Sequence, residues 1–208
     1  MRACKGGIHV GTSYETMLVA AGMDEVRAVI AAVGSVAALV PVEDGRTAVI
    51  PMEGQHGYAE TYDLATAVSG ALGCPVATFE VAHSDVLVAE LFRSGEHVHE
   101  YVSDRSAFAN VYEDSDGEFK QELDGVVYPA DVRLPVTPVG DDPTVFAPFA
   151  VGQPDLVGLA TALSTKQLFA ERQHWDILAA LNLDPGGLTV AYRHLDDVGL
   201  AGVLHVGS

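Results

Sequence analysis

The most constraining feature of the chain is a regular alternation of strand-like and helix-like patterns between residues 10 and 103. The strand-like stretches are rich in β-branched residues, whereas the helix-like ones place apolar residues at helical spacing and end at a glycine. The predicted strands are residues 12–19, 36–42, 47–52, 76–92 and 96–103, and the predicted helices are residues 23–33 and 58–72. This order is typical of a ferredoxin-like layer, an antiparallel sheet with helices on one face, so the sequence predicts an α+β fold.

Six of the ten prolines lie between residues 129 and 154. Proline removes a backbone donor and favours extended chain, so this segment is predicted to wrap the surface and not to form a central strand. The resulting divisions are a tail (1–9), a sheet domain (10–128), the proline-rich wrap (129–154) and a C-terminal helical segment packed on the sheet domain (155–208). Lys5-Gly6-Gly7 is consistent with a translated ribosome-binding site, and we hypothesise that the native chain starts at Val10.

The overall composition narrows the classes of protein to which the chain can belong. A net charge of −18 with only 11 Lys and Arg excludes a phosphate-binding surface for nucleic acid. The hydrophobic fraction is 49%, yet no stretch reaches the roughly 18 apolar residues of a membrane span. We therefore expect a large core and a homo-oligomer interface. Cys4 and Cys74 lack the spacing of a disulfide framework or a metal site, which predicts a reducing, cytoplasmic location.

The best helical pattern of the C-terminal part covers residues 165–181, where Ser164 and Gln167 are predicted to form a capping box. Glu171 and His174 fall inside the apolar arc of this helix, so both are predicted to face the core and to pair with each other. They form either an acid–base pair, half of a Glu-x-x-His metal site, or a structural pair that anchors the helix. The apolar members of the arc are Leu168, Trp175, Leu178 and Leu181.

Ser94-Gly95 is predicted to form the two-residue loop of a hairpin between residues 76–92 and 96–103. Strict alternation then places six side chains on one sheet face, namely Val88, Glu90, Phe92, His97, His99 and Tyr101. Glu90, His97 and His99 form a candidate three-ligand metal site. The alternative is a solvated face with a weak contact between glutamate and histidine. Phe92 and Tyr101 are predicted to be exposed on this face and to bind a ligand.

Two further ligand-binding candidates are Trp175 and His56. His56 lies in the loop 53–57 that opens the second predicted helix, where free backbone donors favour an anion; the alternative is a flexible loop. The chain has no Gly-x-Ser-x-Gly motif and no cysteine in a nucleophile context, which disfavours covalent hydrolysis.

The stretches FAERQHWDIL (169–178), YRH (192–194) and GTSYET (11–16) resemble uncharacterised actinobacterial hypothetical proteins. The resemblance covers about the C-terminal third and the first strand. It implies a cytoplasmic actinobacterial origin and no particular activity.

These features predict a non-catalytic, self-associating α+β protein that binds a protein or a small ligand through its sheet face. An alternative is a metal-dependent or acid–base enzyme that uses Glu90, His97 and His99, or Glu171 and His174. A second alternative is a toxin-neutralising protein whose acidity steers it to a basic partner. The sequence identifies no cofactor.

Overall fold

The computed structural model describes residues 12–43, 45–55 and 57–207, so the predicted tail 1–9 and His56 lie outside the described residues. The described strands are Tyr14–Val19 (β1), Ala37–Glu43 (β2), Arg46–Pro51 (β3), Val76–Ala82 (β4), Val86–Arg93 (β5), Glu96–Val102 (β6), Asn110–Glu113 (β7), Phe119–Leu123 (β8), Val126–Pro129 (β9) and Leu204–Val206 (β10). The described α-helices are Met23–Val33 (α1), Thr61–Leu72 (α2), Leu156–Ser164 (α3), Ala170–Ala180 (α4) and Leu195–Val198 (α5).

Seven strands form one large antiparallel sheet in the order β10-β2-β3-β1-β4-β5-β6. The central strand is β1, where Met17 lies opposite Val49 of β3 on one side and Thr78 of β4 on the other. The predicted strand over residues 76–92 is two strands, because His83 and Ser84 adopt positive φ and reverse the chain. The prediction of a mixed α+β protein is confirmed.

The helices α1 and α2 both pack on one face of the large sheet, as predicted, and α3 and α4 cover the other face. Residues alternate along β1, so Met17 and Val19 pack under α1 and α2, while Leu18 faces the core that contains α3 and α4. Leu18, Ile30 of α1 and the other central apolar residues are fully buried. Each such side chain contributes about 1.5–3 kcal/mol of hydrophobic stabilisation.

The proline-rich segment forms no central strand, but it wraps the surface only in part: it lies along the edge strand β6 near Val139, whereas Phe146 and Phe149 are buried in the core on the α3 and α4 side. Val139 forms an isolated antiparallel bridge with Val102 of β6. Gly140 has a φ of +73°, and a Cβ at this position would lie 2.0 Å from the Glu100 carbonyl oxygen, so only glycine allows this close approach. Further along, the Arg46 guanidinium donates to the carbonyls of residues 148–150 and holds the segment against β3.

The predicted start of the helix over residues 165–181 is wrong. Residues 156–180 form two helices, and Ser164 ends α3, where its hydroxyl donates to the Ala160 carbonyl instead of capping a new helix. Because α4 begins at Ala170, the predicted arc is wrong at Leu168, which is 85% exposed, and at Trp175, whereas Leu178 and Leu181 are buried as predicted. The side chains that face the core from this helix and its C-cap are Ala170, Gln173, His174, Ile177, Leu178 and Leu181.

Candidate functional site

Glu171 and His174 have different partners, so the predicted pairing between them is replaced by contacts with other elements. His174 is fully buried, its Nδ1 lies 2.9 Å from the Tyr14 hydroxyl of β1, and its ring packs on Phe79 at a centroid distance of 4.3 Å. The Ser84 hydroxyl donates to Glu171 Oε1 at 2.5 Å. Together these contacts fix α4 to β1 and to the turn between β4 and β5.

Burial lowers the pKa of His174 to about 3, so its imidazole is neutral at physiological pH. Burial also raises the pKa of the Tyr14 hydroxyl, and the nearby Glu171 carboxylate adds to the rise. Neutral groups are the forms that a low-dielectric interior favours. A fully buried, neutral imidazole is a poor proton acceptor near neutral pH, so this geometry favours the structural interpretation of the pair.

The predicted shared face of Glu90, His97 and His99 does not form, because β6 contains a bulge. His97 lies opposite Phe92, but the next paired residue is His99, which lies opposite Leu91, so Val98 is inserted between them. One inserted residue moves every later side chain to the other face. His97 therefore stays on the α2 side, with Nε2 at 3.6 Å from Glu90 Oε1, whereas His99 Nε2 contacts the carbonyl of Gly140 at 2.8 Å. Among the described residues, no three His, Cys, Asp or Glu side chains are arranged to hold a metal ion.

The prediction that Phe92 and Tyr101 are exposed is wrong, because both faces of the large sheet are covered. Phe92 is buried beside Tyr62 of α2, and the Tyr101 hydroxyl donates to the Leu163 carbonyl of α3 at 2.8 Å. Trp175, predicted to lie in the apolar arc of the helix, is 46% exposed. A ligand-binding role for Trp175 stays a prediction, and His56 lies outside the described residues.

A row of carboxylates crosses the α1 and α2 side of the large sheet where these helices do not cover it. Glu15 of β1 lies directly opposite Glu80 of β4 and accepts a hydrogen bond from the Ala59 amide. Burial raises the pKa of Glu15 to about 7, and the neighbouring Glu80 and Glu53 add to the rise. Burial also raises the pKa of Glu80. An acidic pair at this place is destabilising when it is ionised.

A second, smaller sheet is not covered on its faces by the described helices. Residues 110–129, called the arm below, form the antiparallel sheet β7-β8-β9. All residues of this range are described, and none of them is buried. A three-stranded sheet is stable in water when an apolar face packs against something, and the arm has an apolar face without a buried interior.

The cross-strand register defines that apolar face. Val111 lies opposite Gln121, which lies opposite Tyr128, and Leu123 lies opposite Val126. Phe119 is 61% exposed, Val111 is 63% exposed and Val126 is 51% exposed. We call the apolar members of this side the arm face, and they are Val111, Phe119, Leu123, Val126 and Tyr128.

Two tight turns shape the arm. Between β7 and β8, the Asp114 carboxylate accepts hydrogen bonds from the backbone amides of Glu118 and Asp116. These hydrogen bonds lower the pKa of Asp114. Between β8 and β9, Asp124 and Gly125 both adopt positive φ, the conformation of a two-residue hairpin loop. The arm contains six Asp and Glu against a single lysine, so its apolar face has an acidic surround.

The arm does not follow from the strand and helix patterns of the sequence. One signal was available, since Asp124-Gly125 stands between two short runs that contain valine, leucine and tyrosine. Its strands have only four or five residues and carry charged residues, which weakens the alternation from which strands are recognised.

No protein-family model, curated protein or solved structure matches the chain. The resemblance to actinobacterial hypothetical proteins therefore stays a prediction. In the described part of the chain, none of the helices combines the length and the apolar character that crossing a membrane requires.

Proposed function

We propose that the chain is a non-catalytic protein-binding module and that its partner is a basic protein that docks on the arm face. The observation that carries this proposal is an apolar sheet face, about half or more exposed at Val111, Phe119 and Val126, on a sheet without a buried interior. Exposed apolar patches with polar surroundings are typical of protein interaction sites.

The charge of the arm supports the choice of a basic partner. The acidic residues beside the arm face include Glu113, Asp114 and Glu118, and the single cation, Lys120, is already within 3.6 Å of Asp114 and 2.6 Å of Glu118. Opposite charges around an apolar patch raise the rate of encounter and select the partner. A toxin-neutralising protein whose target is basic is one form of this proposal.

A second copy of the chain is a less suitable occupant of the arm face. Each copy carries a net charge of −18, and docking two arms together would bring their acidic residues close to one another. Like charges that face each other across an interface are destabilising. Self-association through the arm face is therefore the competing outcome of the test.

We infer that β1–β4 with α1 and α2 form a ferredoxin-like unit, to which β5, β6, β10 and the C-terminal helices are additions. The strand order β4-β1-β3-β2 within the large sheet supports this. A cytoplasmic location is part of the same proposal.

The proposal is tested with a defined probe, a ten-residue peptide of alternating valine and lysine, titrated against the full chain by isothermal calorimetry. We expect saturable binding that weakens as NaCl is raised from roughly 0.05 to 0.5 M, because the Debye length falls below about 10 Å within this range. The variants Phe119→Ser and Val126→Ser should each weaken binding about tenfold. The matched control is Val33→Ser on α1, which is 48% exposed and lies far from the arm in sequence.

Three results contradict the proposal. The first is an equal loss of affinity in Val33→Ser and Val126→Ser. The second is equal binding of a valine–glutamate peptide. The third is a dimer of the chain, detected by light scattering, that Phe119→Ser converts to a monomer, because this outcome makes a second copy the occupant.

A further inference from the structure

A cleft of about 570 Å³ opens at one end of the large sheet and shares no residue with the arm. It lies between the end of α1, the end of β3 and the start of α2. This volume is within the range of about 300–1,000 Å³ that small-molecule sites occupy. The lining side chains that matter for recognition are Val36, Pro51, Met52, Tyr58, Glu60 and Leu64.

The apolar part of the cleft has a buried side and an exposed side. Pro51 and Leu64 are buried, whereas Met52 is 50% exposed and Tyr58 is 51% exposed. A ligand that fills the cleft covers these two exposed side chains, so an apolar or aromatic body gains hydrophobic contact there. The thioether of Met52 also adapts its shape to different ligands.

The charge in and around the cleft selects the sign of the ligand. Among the described residues that line the cleft, Glu60 carries the only carboxylate, and none is a lysine or an arginine. Tyr58 also lines a smaller neighbouring cavity that contains Glu15, Glu53 and Glu80. Its one arginine, Arg193, is already paired with Glu53 at 2.8 Å. A positive group between the Tyr58 ring and Glu60 would be stabilised by the ring and by the Glu60 carboxylate.

We propose that this cleft binds a small organic cation, a primary or secondary amine attached to an apolar or aromatic body. The body packs between Met52, Tyr58 and Leu64, and the ammonium group lies toward Glu60. This site is independent of protein docking on the arm face, so each proposal can fail without the other.

The test compares three probes of similar shape, 2-phenylethylammonium, 2-phenylethanol and 3-phenylpropanoate, titrated against the full chain and followed by NMR. We expect the ammonium probe to bind about tenfold more tightly than the carboxylate probe, with the alcohol between them. The shifted resonances should belong to residues 35–36, 51–55 and 58–64. Glu60→Gln should weaken binding of the ammonium probe several-fold and leave the alcohol unchanged.

The matched control is Glu96→Gln, which removes another exposed carboxylate at the start of β6. It should leave the affinity for the ammonium probe unchanged. Tyr58→Ala should weaken both the ammonium and the alcohol probes, because the ring is part of the apolar wall. Equal affinity for the ammonium and carboxylate probes would overturn the proposal. Equal losses in Glu60→Gln and Glu96→Gln, or shifts confined to residues outside the cleft, would also overturn it.

Discussion

The large sheet and the arm are both antiparallel, yet they differ in whether their side chains are buried or exposed to solvent. In the large sheet, helices cover both faces, and the buried Tyr14 hydroxyl and His174 Nδ1 are hydrogen-bonded to each other. In the arm, Phe119 and Val126 face water. The comparison indicates that the large sheet is the scaffold, where each contact contributes to folding, whereas apolar residues of the arm are available for binding.

The largest expected effect lies in the scaffold, at His174. His174→Ala removes a fully buried ring and leaves the Tyr14 hydroxyl without its partner. Loss of packing and an orphaned buried donor together should lower the free energy of unfolding by about 4 kcal/mol at pH 7. Urea denaturation followed by circular dichroism measures this change. A loss below about 1 kcal/mol would contradict the view of His174 as an anchor of α4.

A smaller effect should appear when the pH is lowered. The pKa of His174 is about 3 in the folded chain and 6.5 in its reference state, so the unfolded chain binds a proton first. Its stabilising effect is complete above pH 6.5 and is lost as pH falls toward 3, at about 1.4 kcal/mol per pH unit. Denaturation midpoints between pH 6.5 and 5 measure this slope, and His174→Gln should reduce it.

The contributions of Glu15 and His174 to the pH dependence of stability must be separated, because acidification changes the stability in opposite directions through these two groups. Its pKa is raised from 4.5 to about 7, so the folded chain takes up a proton as pH falls through 7 and becomes more stable. Glu15→Gln should therefore make the loss of stability on acidification steeper. An unchanged slope in both Glu15→Gln and His174→Gln would mean that neither group controls the acid response.

The smallest effect on stability is expected in the arm. Phe119→Ser replaces a side chain that is 61% exposed, so the free energy of unfolding should change by no more than about 0.5 kcal/mol. The same urea denaturation measures it beside His174→Ala. A loss comparable to that of His174→Ala would show that the arm face is part of the folding core and would remove the distinction between the two regions.

The sequence predicted a helix well where apolar residues at helical spacing are followed directly by a glycine. Residues 23–33 are helical with the predicted bounds, because apolar residues recur at helical spacing and Gly34 follows them. The Ser94-Gly95 turn also forms, with both residues at positive φ. These features depend on short-range chemistry, which a single sequence contains.

The candidate sites were predicted less well, because they depend on longer-range packing. Alternation along β6 placed His97 and His99 together, but the bulge at Val98 separates them, and no periodic pattern indicates a bulge. Tyr101 was expected to be exposed because the sequence does not indicate that α3 and α4, about 60 to 80 residues further on, cover its face. Phe92 lies on the other face, where it is buried under the predicted helix α2. The cleft at Tyr58 depends on three separate elements and has no sequence motif.

The proline-rich segment along β6 also covers part of an exposed sheet edge. Open strand edges are templates on which identical chains can stack into fibrils. Here the exchange of backbone hydrogen bonds between Val139 and Val102, together with the tight passage of Gly140 over Glu100, occupies one end of the outermost strand. The segment thus leaves fewer unpaired backbone groups at this end of β6, the longer of the two outer strands of the large sheet, to which another chain could add.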